Sequence, residues 1–90
     1  MAAWRFTITL SAQRLVKKLD KETKVQVADK IEWLVYHFDE VNHIPFHQSL
    51  DGFFKLRVGN WRVVYEAEYD KLLITVHDVD HRSKIYKKYK

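Results

Sequence analysis

Two hydrophobic periodicities divide the first half of the chain into a strand and two helices. Residues 4–10 alternate apolar and polar side chains, which predicts a strand. Apolar residues then recur at three- and four-residue steps, first over residues 11–19 and again over residues 20–38. Ser11 and Asp20 precede these two stretches and are residue types that cap helix N-termini. The pattern therefore predicts two successive amphipathic helices, which form a helical hairpin.

The second half of the chain predicts an antiparallel meander. Residues 39–49 show no period and contain Pro45, so they are interpreted as a loop, and residues 50–52 as a turn. Three strands follow, at residues 53–58, 61–69 and 72–80, joined by tight turns at 59–60 and 70–71. The last ten residues, 81–90, form a short helix or a tail. The predicted fold is a single α+β domain over residues 1–90, in the order β-α-α-β-β-β, with the helical hairpin packed on one face of a small antiparallel sheet.

The hairpin at Gly59-Asn60 determines which side chains share a face. A two-residue loop places residue 57 opposite residue 62 and residue 55 opposite residue 64. One face is then apolar and is expected to pack on the helices: Phe54, Leu56, Val58, Trp61, Val63 and Tyr65. The other face is expected to be exposed: Phe53, Lys55, Arg57, Arg62, Val64 and Glu66. A two-residue turn at 70–71 would pair residue 64 with 77 and residue 62 with 79, adding His77 to the exposed face.

Positive charge is concentrated on that exposed face. Arg57 and Arg62 lie directly opposite each other and Lys55 lies diagonal to Arg62, an arrangement that is unfavourable unless something screens it. Either water and Glu66 neutralise these charges, or the guanidinium groups form a site for phosphate oxygens. The chain has 16 Lys and Arg against 12 Asp and Glu, a net charge of +4. We favour the anion site, and the excess of positive charge indicates an anionic partner: nucleic acid, an acidic protein or a phospholipid surface.

Composition excludes several classes of site. The absence of cysteine removes disulfides, thiolate zinc sites and thiol catalysis. His43 and His47 flank Pro45, which prevents a helical metal-binding pair, so no metal is expected. Trp33 and Trp61 are interpreted as residues of the core or its edge, and His37 as a surface residue near a helix end. No stretch approaches the roughly 20 apolar residues of a membrane helix and no signal sequence is apparent, which predicts a cytoplasmic protein without a membrane partner.

Residues 50–66, followed by His81-Arg82 and Tyr86, resemble the RelE branch of the RelE/ParE toxin superfamily. The resemblance covers essentially the whole chain and is most specific in its last forty residues. It implies a toxin of a toxin–antitoxin pair. RelE-like toxins are ribosome-dependent endoribonucleases, which cleave mRNA in the ribosomal A site and so inhibit translation. They use no metal or cofactor, because the ribose 2′-hydroxyl attacks the adjacent phosphate.

The resemblance also implies a catalytic set: Lys55, Arg57, Arg62, His81, Arg82 and Tyr86. Arg57 and Arg62 would hold the scissile phosphate, while Lys55 or His81 would handle the proton of the 2′-hydroxyl. Arg82 or His81 would assist the leaving group, and Tyr86 would stack on a base. Phe53 stands where some RelE toxins have a second lysine, and residues 41–49 lack the glutamate that other branches use. The first of these departures strengthens the case for His81 as the base.

The basic C-terminal segment has two interpretations. Its lysines and tyrosine either contact RNA or form a solvated end: Lys84, Lys87, Lys88 and Tyr89. The resemblance further implies a cognate antitoxin, expected to bring an acidic segment that folds on binding to the second helix or a sheet edge, in a complex that could be oligomeric. Two alternatives stay open: a gyrase-poisoning toxin of the ParE type, and an RNA-binding or antitoxin-binding module without catalytic activity.

Overall fold

A computed structural model of the chain describes residues 3–46 and 52–88. These residues form an α+β fold in which two helices follow the first strand and a short helix follows the last, so the predicted fold class is confirmed. The helices are α1 (Leu10–Lys17), α2 (Lys21–Tyr36) and α3 (Arg82–Lys88). The strands are β1 (Arg5–Ile8), β2 (Ile44–Pro45), β3 (Phe53–Val58), β4 (Trp61–Glu68) and β5 (Leu73–His81).

The helix ends differ slightly from their predicted positions. Helix α1 begins at Leu10, and its N-cap is Thr9 rather than Ser11, because the Thr9 hydroxyl accepts a hydrogen bond from the Ala12 N–H at 3.1 Å. Asp20 is the N-cap of α2, as predicted, although its side chain makes no capping hydrogen bond. At the other end of α2, the His37 N–H donates to the Trp33 carbonyl at 3.0 Å. His37 therefore terminates the helix, in line with its predicted position near a helix end.

The sheet is mixed, and the prediction of a wholly antiparallel sheet is wrong. Its strand order is β1-β5-β4-β3-β2, with β1 parallel to β5 and the other pairs antiparallel. Strand β2 lies within the segment predicted as a loop, and its Pro45 occupies the edge position that a residue without an N–H tolerates. The alternation of residues along a strand reveals the face of each side chain, but not the direction of the neighbouring strand.

The hairpin register is confirmed between β3 and β4 but only partly between β4 and β5. Residue 57 pairs with 62 and residue 55 with 64, around a Gly59 with a φ of 58°. In the second pair, a bulge between Val64 and Tyr65 shifts the register by one residue. Val64 therefore faces Asp78 and Arg62 faces Asp80, in place of the predicted residues 77 and 79. The shift brings two carboxylates to the face that carries Arg62.

Both faces of the sheet are covered. The helix-facing side packs into the main core, which includes Leu56, Val63 and Tyr65 together with Ile31 and Leu34 of α2. On the opposite face, Ile85 of α3 and Phe46 bury Val64, with Phe53 packed alongside. This face was predicted to be free, and the prediction is wrong for Val64 and Arg62, which are 0% and 7% exposed. The C-terminal segment folds back over the sheet because Ile85 buries its side chain there.

Trp33 lies outside the core, contrary to its interpretation from the sequence. Its side chain is 39% exposed, stacks on His37 with ring centroids 5.1 Å apart, and lies 4.0 Å from the Lys30 ammonium. The buried positions of α2 are Val27, Ile31 and Leu34. Trp33 immediately precedes Leu34 in the chain, so its side chain points in a different direction around the helix axis. Trp61 packs at the edge of the main core, as predicted.

No helix within residues 3–46 and 52–88 is both long enough and apolar enough to cross a membrane.

Candidate active site

Helix α3 places Tyr86 over the basic part of the sheet. The Lys55 ammonium donates a hydrogen bond to the Tyr86 hydroxyl at 3.2 Å. Partial burial acts to raise the pKa of Tyr86, but hydrogen bonds and positive charge from Lys55 and Arg62 outweigh it and lower the pKa below the usual value for tyrosine. The phenol ring is 38% exposed. Three predicted site residues thus meet around one accessible hydroxyl.

Arg62 is a buried, fixed cation. Its Nη1 donates to the carbonyl oxygens of Gly59 and Trp61, both at 2.8 Å, so the hairpin turn holds the guanidinium in place. Its Nε atom has no hydrogen-bond partner although it is buried. Arg62 is 7% exposed, on the face of the sheet on which Ile85 of α3 packs. A guanidinium held in this way supplies positive charge without reorganising when an anion arrives.

Arg57 is directly opposite Arg62 and is exposed. Cβ atoms of directly opposed residues in an antiparallel pair are about 4.5–5.5 Å apart, so the two cations share one patch. One guanidinium is fixed by the turn and the other faces solvent. The pair can therefore bind one phosphate group from two directions.

Phe46 belongs to the candidate site, although no prominent sequence signal marks it. Its ring stacks nearly parallel to that of Tyr86, with an interplanar angle of 9° and centroids 5.8 Å apart. The Phe46 N–H donates to the Phe53 carbonyl at 2.9 Å, which extends the pairing of β2 with β3. The available signal was an aromatic residue directly after an edge proline. Phe46 supports one side of the Tyr86 ring and limits its movement.

His81 lies away from the Lys55–Tyr86 contact. It pairs with Trp61 at the end of β5, and opposed residues share a face, so it projects to the side of the sheet opposite Arg62. Its ring is edge-on to Trp61 with centroids 5.5 Å apart, and its Nδ1 is 2.9 Å from the Ser83 hydroxyl. Arg82 is exposed at the start of α3, where its N–H donates to the Asn60 carbonyl at 2.8 Å.

The lysines of α3 differ in their surroundings. Lys84 and Lys87 are exposed, as a role in RNA contact requires. Lys88 instead forms ion pairs with Asp78 at 3.0 Å and with Asp80 at 2.9 Å. These carboxylates follow from the shifted register of β5, so the sequence analysis did not anticipate them. Tyr89, also predicted to contact RNA, lies outside the described residues.

The ion pairs of Lys88 predict a stability that depends on pH. Burial acts to raise the pKa of Asp80, but hydrogen bonds from Lys88 and the His81 N–H, with nearby positive charge, lower it overall. Burial acts to lower the pKa of Lys88, but its two carboxylate partners raise it overall. The contribution of Asp80 is complete above the ordinary carboxyl pKa of 3.8 and is lost as the pH falls through the lowered value. That of Lys88 is complete below 10.5 and is lost as the pH rises through the raised value.

We therefore expect the melting temperature to fall at both pH extremes. In Lys88→Met the melting temperature should depend less on pH, at both the acidic and the alkaline end, than it does in Lys87→Met. Thermal unfolding followed by circular dichroism from pH 2 to 12 measures this. Equal pH profiles for the two variants would contradict it.

His43, one of the two histidines considered as metal ligands, makes two contacts within the protein. The His43 Nε2 lies 2.9 Å from the Phe38 carbonyl, and its Nδ1 lies 2.6 Å from the Tyr65 hydroxyl. Burial, with a contribution from Tyr69, raises the pKa of Tyr65, so the Tyr65 hydroxyl stays protonated. His47 lies outside the described residues. Over residues 3–46 and 52–88, no three His, Asp or Glu side chains are grouped to hold a metal ion.

Comparisons with known proteins place this fold. The sequence profile of the family described as "ParE toxin of type II toxin-antitoxin system, parDE" matches residues 6–86. A comparison with curated proteins gives no match. Among solved structures, the toxin–antitoxin complex RelBE2 from Mycobacterium tuberculosis is similar with a TM-score of 0.79 and 24% identity, covering 90% of this chain and 100% of that one.

Two further structures share the fold. The archaeal RelE-RelB complex from Pyrococcus horikoshii has a TM-score of 0.73 and 18% identity, covering 92% of this chain and 99% of that one. The DinJ-YafQ toxin–antitoxin complex from E. coli has a TM-score of 0.75 and 13% identity, covering 94% of this chain and 99% of that one. Structural likeness at these identities establishes the fold, while the profile match over 6–86 establishes the family. The chain therefore belongs to the ParE toxin family of type II toxin–antitoxin systems, within the RelE/ParE superfamily that its sequence resembles.

Proposed function

We propose that this toxin is a cytoplasmic endoribonuclease that cleaves mRNA in the ribosomal A site and thereby inhibits translation. The observation that carries the proposal is the contact of Lys55 with Tyr86 at 3.2 Å, beside the fixed guanidinium of Arg62. Exposed Arg57 completes a cationic patch that is open to solvent. Such a patch combines anion binding with a titratable hydroxyl, which phosphoryl transfer to a 2′-oxygen requires.

The proposed reaction needs no metal or cofactor. The 2′-oxygen of the ribose forms a bond to the adjacent phosphorus while the bond from phosphorus to the 5′-oxygen breaks. One proton leaves the 2′-hydroxyl and one proton is delivered to the departing 5′-oxygen. Arg57 and Arg62 stabilise the additional negative charge that the phosphorane carries. The products are a 2′,3′-cyclic phosphate and a free 5′-hydroxyl.

The proton transfers are assigned from the geometry. The lowered pKa of Tyr86 and its contact with Lys55 make this pair the proposed acceptor of the 2′-hydroxyl proton. His81, which pairs with Trp61 on the other side of the sheet, is the weaker candidate. Arg82, exposed at the start of α3, is the proposed residue that assists the leaving oxygen. Tyr86 can still stack on a base, since Phe46 lies against its ring on one side.

Substitutions at Lys55 and Tyr86 test this assignment. We expect Lys55→Met and Tyr86→Phe each to reduce cleavage by about 100-fold or more, because each removes one member of the proton-transfer pair. Primer extension on mRNA from a translation mix containing ribosomes measures the cuts. Lys17→Met is the control, since it removes an exposed lysine from α1. Cleavage by either variant at the level of Lys17→Met would refute the assignment.

A second candidate function is favoured by the family match itself, whose description names ParE. A ParE-type toxin would act on DNA gyrase and should tolerate the loss of Lys55, Arg57 and Tyr86. Expression of the toxin in cells, followed by primer extension on their mRNA, separates the two candidates. Growth arrest with intact mRNA would favour gyrase, and intact mRNA without arrest would favour a binding module without catalytic activity.

The proposed partner is a cognate antitoxin with an acidic segment that folds on binding. The solved relatives include complexes of RelE with RelB. The cationic patch around Arg57 would attract such an acidic segment. A second surface is less suited to it, because Glu32, Asp39 and Glu40 line the groove between β1 and α2. An acidic segment is therefore expected to cover the RNA-binding face.

A further inference from the structure

The ammonium group of Lys88 contacts two carboxylates. Its ammonium lies 3.0 and 3.2 Å from the two carboxylate oxygens of Asp78 and 2.9 Å from Oδ2 of Asp80. The side chains of these aspartates are only 6% and 14% exposed, whereas that of Lys88 is 37% exposed. Lys88 thus neutralises two poorly hydrated carboxylates at the border of the proposed active site.

Asp80 could reach Arg62 but does not pair with it. The two residues are direct cross-strand partners, so their side chains share a face and their Cβ atoms are about 4.5–5.5 Å apart. Yet no ion pair joins them: the Arg62 Nη1 donates to the carbonyls of Gly59 and Trp61. The Asp80 carboxylate accepts from the His81 N–H at Oδ1 and pairs with Lys88 at Oδ2.

We propose that Lys88 is a positioning residue that holds the Asp80 carboxylate away from Arg62 and so keeps Arg62 available to a phosphate group. The inference deepens the proposed function, on which it rests for the identity of the anion. It replaces direct RNA contact as the role of Lys88. Without Lys88, the Asp80 carboxylate turns towards its cross-strand partner Arg62 rather than towards Lys84, the other cation that lowers its pKa, and the site loses one effective positive charge.

Removing Lys88 then has two consequences that a lost RNA contact would not produce together. Phosphate binding weakens because Arg62 is neutralised. Tyr86 also loses part of the positive influence that keeps its hydroxyl acidic, although Lys88 does not touch Tyr86. Substituting Asp80 with Asn in the same protein removes the competing carboxylate, so both properties return towards those of the parent.

The test is a double-mutant cycle on the full chain: parent, Lys88→Met, Asp80→Asn and the double variant. Binding of a single-stranded RNA oligonucleotide is measured by fluorescence anisotropy. The Tyr86 phenol is titrated by its ultraviolet difference spectrum against the matching Tyr86→Phe protein. Lys87→Met is the matched comparison, because it removes the same charge from an exposed neighbour on α3 and so measures what the loss of one RNA-contacting lysine does to both readouts.

We expect Lys88→Met to bind RNA about tenfold more weakly than Lys87→Met and to raise the Tyr86 pKa. We expect the double variant to recover most of both effects, and Asp80→Asn alone to change little. A double variant as impaired as Lys88→Met would overturn the proposal in favour of direct RNA contact or simple docking of the helix. Equal effects of Lys87→Met and Lys88→Met would overturn it as well.

The buried charge of Asp78 could unfold the Lys88→Met protein. If that variant lacks a cooperative thermal transition, the whole cycle is repeated on an Asp78→Asn background, which removes this charge. The same criteria then apply. Neither readout requires cleavage, so failure of the nuclease assignment leaves the test of Lys88 intact. If the double variant recovers RNA binding and the Tyr86 pKa while the parent leaves mRNA intact in the cleavage assay, the role of Lys88 in anion binding stands and the endoribonuclease is rejected.

Discussion

Arg62→Ala is expected to abolish mRNA cleavage and also to destabilise the protein, whereas Arg57→Ala is expected to affect cleavage alone. The two arginines are cross-strand partners, but only Arg62 is buried and hydrogen-bonded to the turn at Gly59 and Trp61. Loss of those two bonds should cost about 1–3 kcal/mol in the free energy of unfolding. Arg57→Ala removes an exposed charge and should change stability by no more than about 0.5 kcal/mol.

Each substitution should reduce cleavage by about 100-fold or more, since each removes a cation that stabilises the phosphorane. Urea unfolding and primer extension on the same preparations measure the two effects. Arg14→Ala is the control, because Arg14 is exposed on α1. An Arg62→Ala protein as stable as Arg57→Ala would show that the hydrogen bonds of Arg62 to the turn do not stabilise the fold. Full cleavage by both variants would remove the arginine pair from the site.

The largest effect on stability is expected from Leu34→Ala, and only a small one from its neighbour Trp33→Ala. Leu34 is 0% exposed in the main core, so its truncation should cost about 2–5 kcal/mol through lost burial and the cavity left behind. Trp33 is 39% exposed, and its contact with the Lys30 ammonium at 4.0 Å should contribute about 0.5–1 kcal/mol. Urea unfolding of both variants at pH 7 gives the comparison.

The order of the two effects carries the prediction. From the sequence alone, the larger loss of stability would be expected for Trp33→Ala, because tryptophan buries the larger surface when it is in a core. A Trp33→Ala protein that loses as much stability as Leu34→Ala would mean that α2 is rotated relative to the sheet. Matching near-UV spectra of Leu34→Ala and the parent would show that the core still packs after truncation.

Several features of the site were available from the sequence because they depend on neighbours along the chain. The Gly59-Asn60 turn fixes a two-residue hairpin, and that hairpin alone sets Arg57 opposite Arg62. The spacing of apolar residues over 20–38 predicted an amphipathic helix, and the buried positions of α2 follow that spacing, among them Ile31 and Leu34. Such inferences succeed where one local geometry determines the outcome.

Other features arose only from contacts between distant segments. The bulge after Val64 brings Asp78 and Asp80 to the face that carries Arg62, and the alternation of residues along a strand does not reveal a bulge. Ile85 docks on Val64, on the same face as Arg62, and Arg62 is buried although the strand pattern alone placed it in solvent. Likewise, β1 can run parallel to β5 only because the helices and the meander bring the two strands together.

The chain itself thus determined the elements, their faces and the residue types of the cationic patch. The tertiary structure decided which of those residues are buried, which carboxylates face them and how α3 places Tyr86 beside Lys55. The physical reason is that the pattern of apolar and polar residues along a chain reflects the local geometry of the backbone. Burial and electrostatic partnership depend on segments far apart in sequence, such as Arg62 with Tyr86 and Asp80 with Lys88.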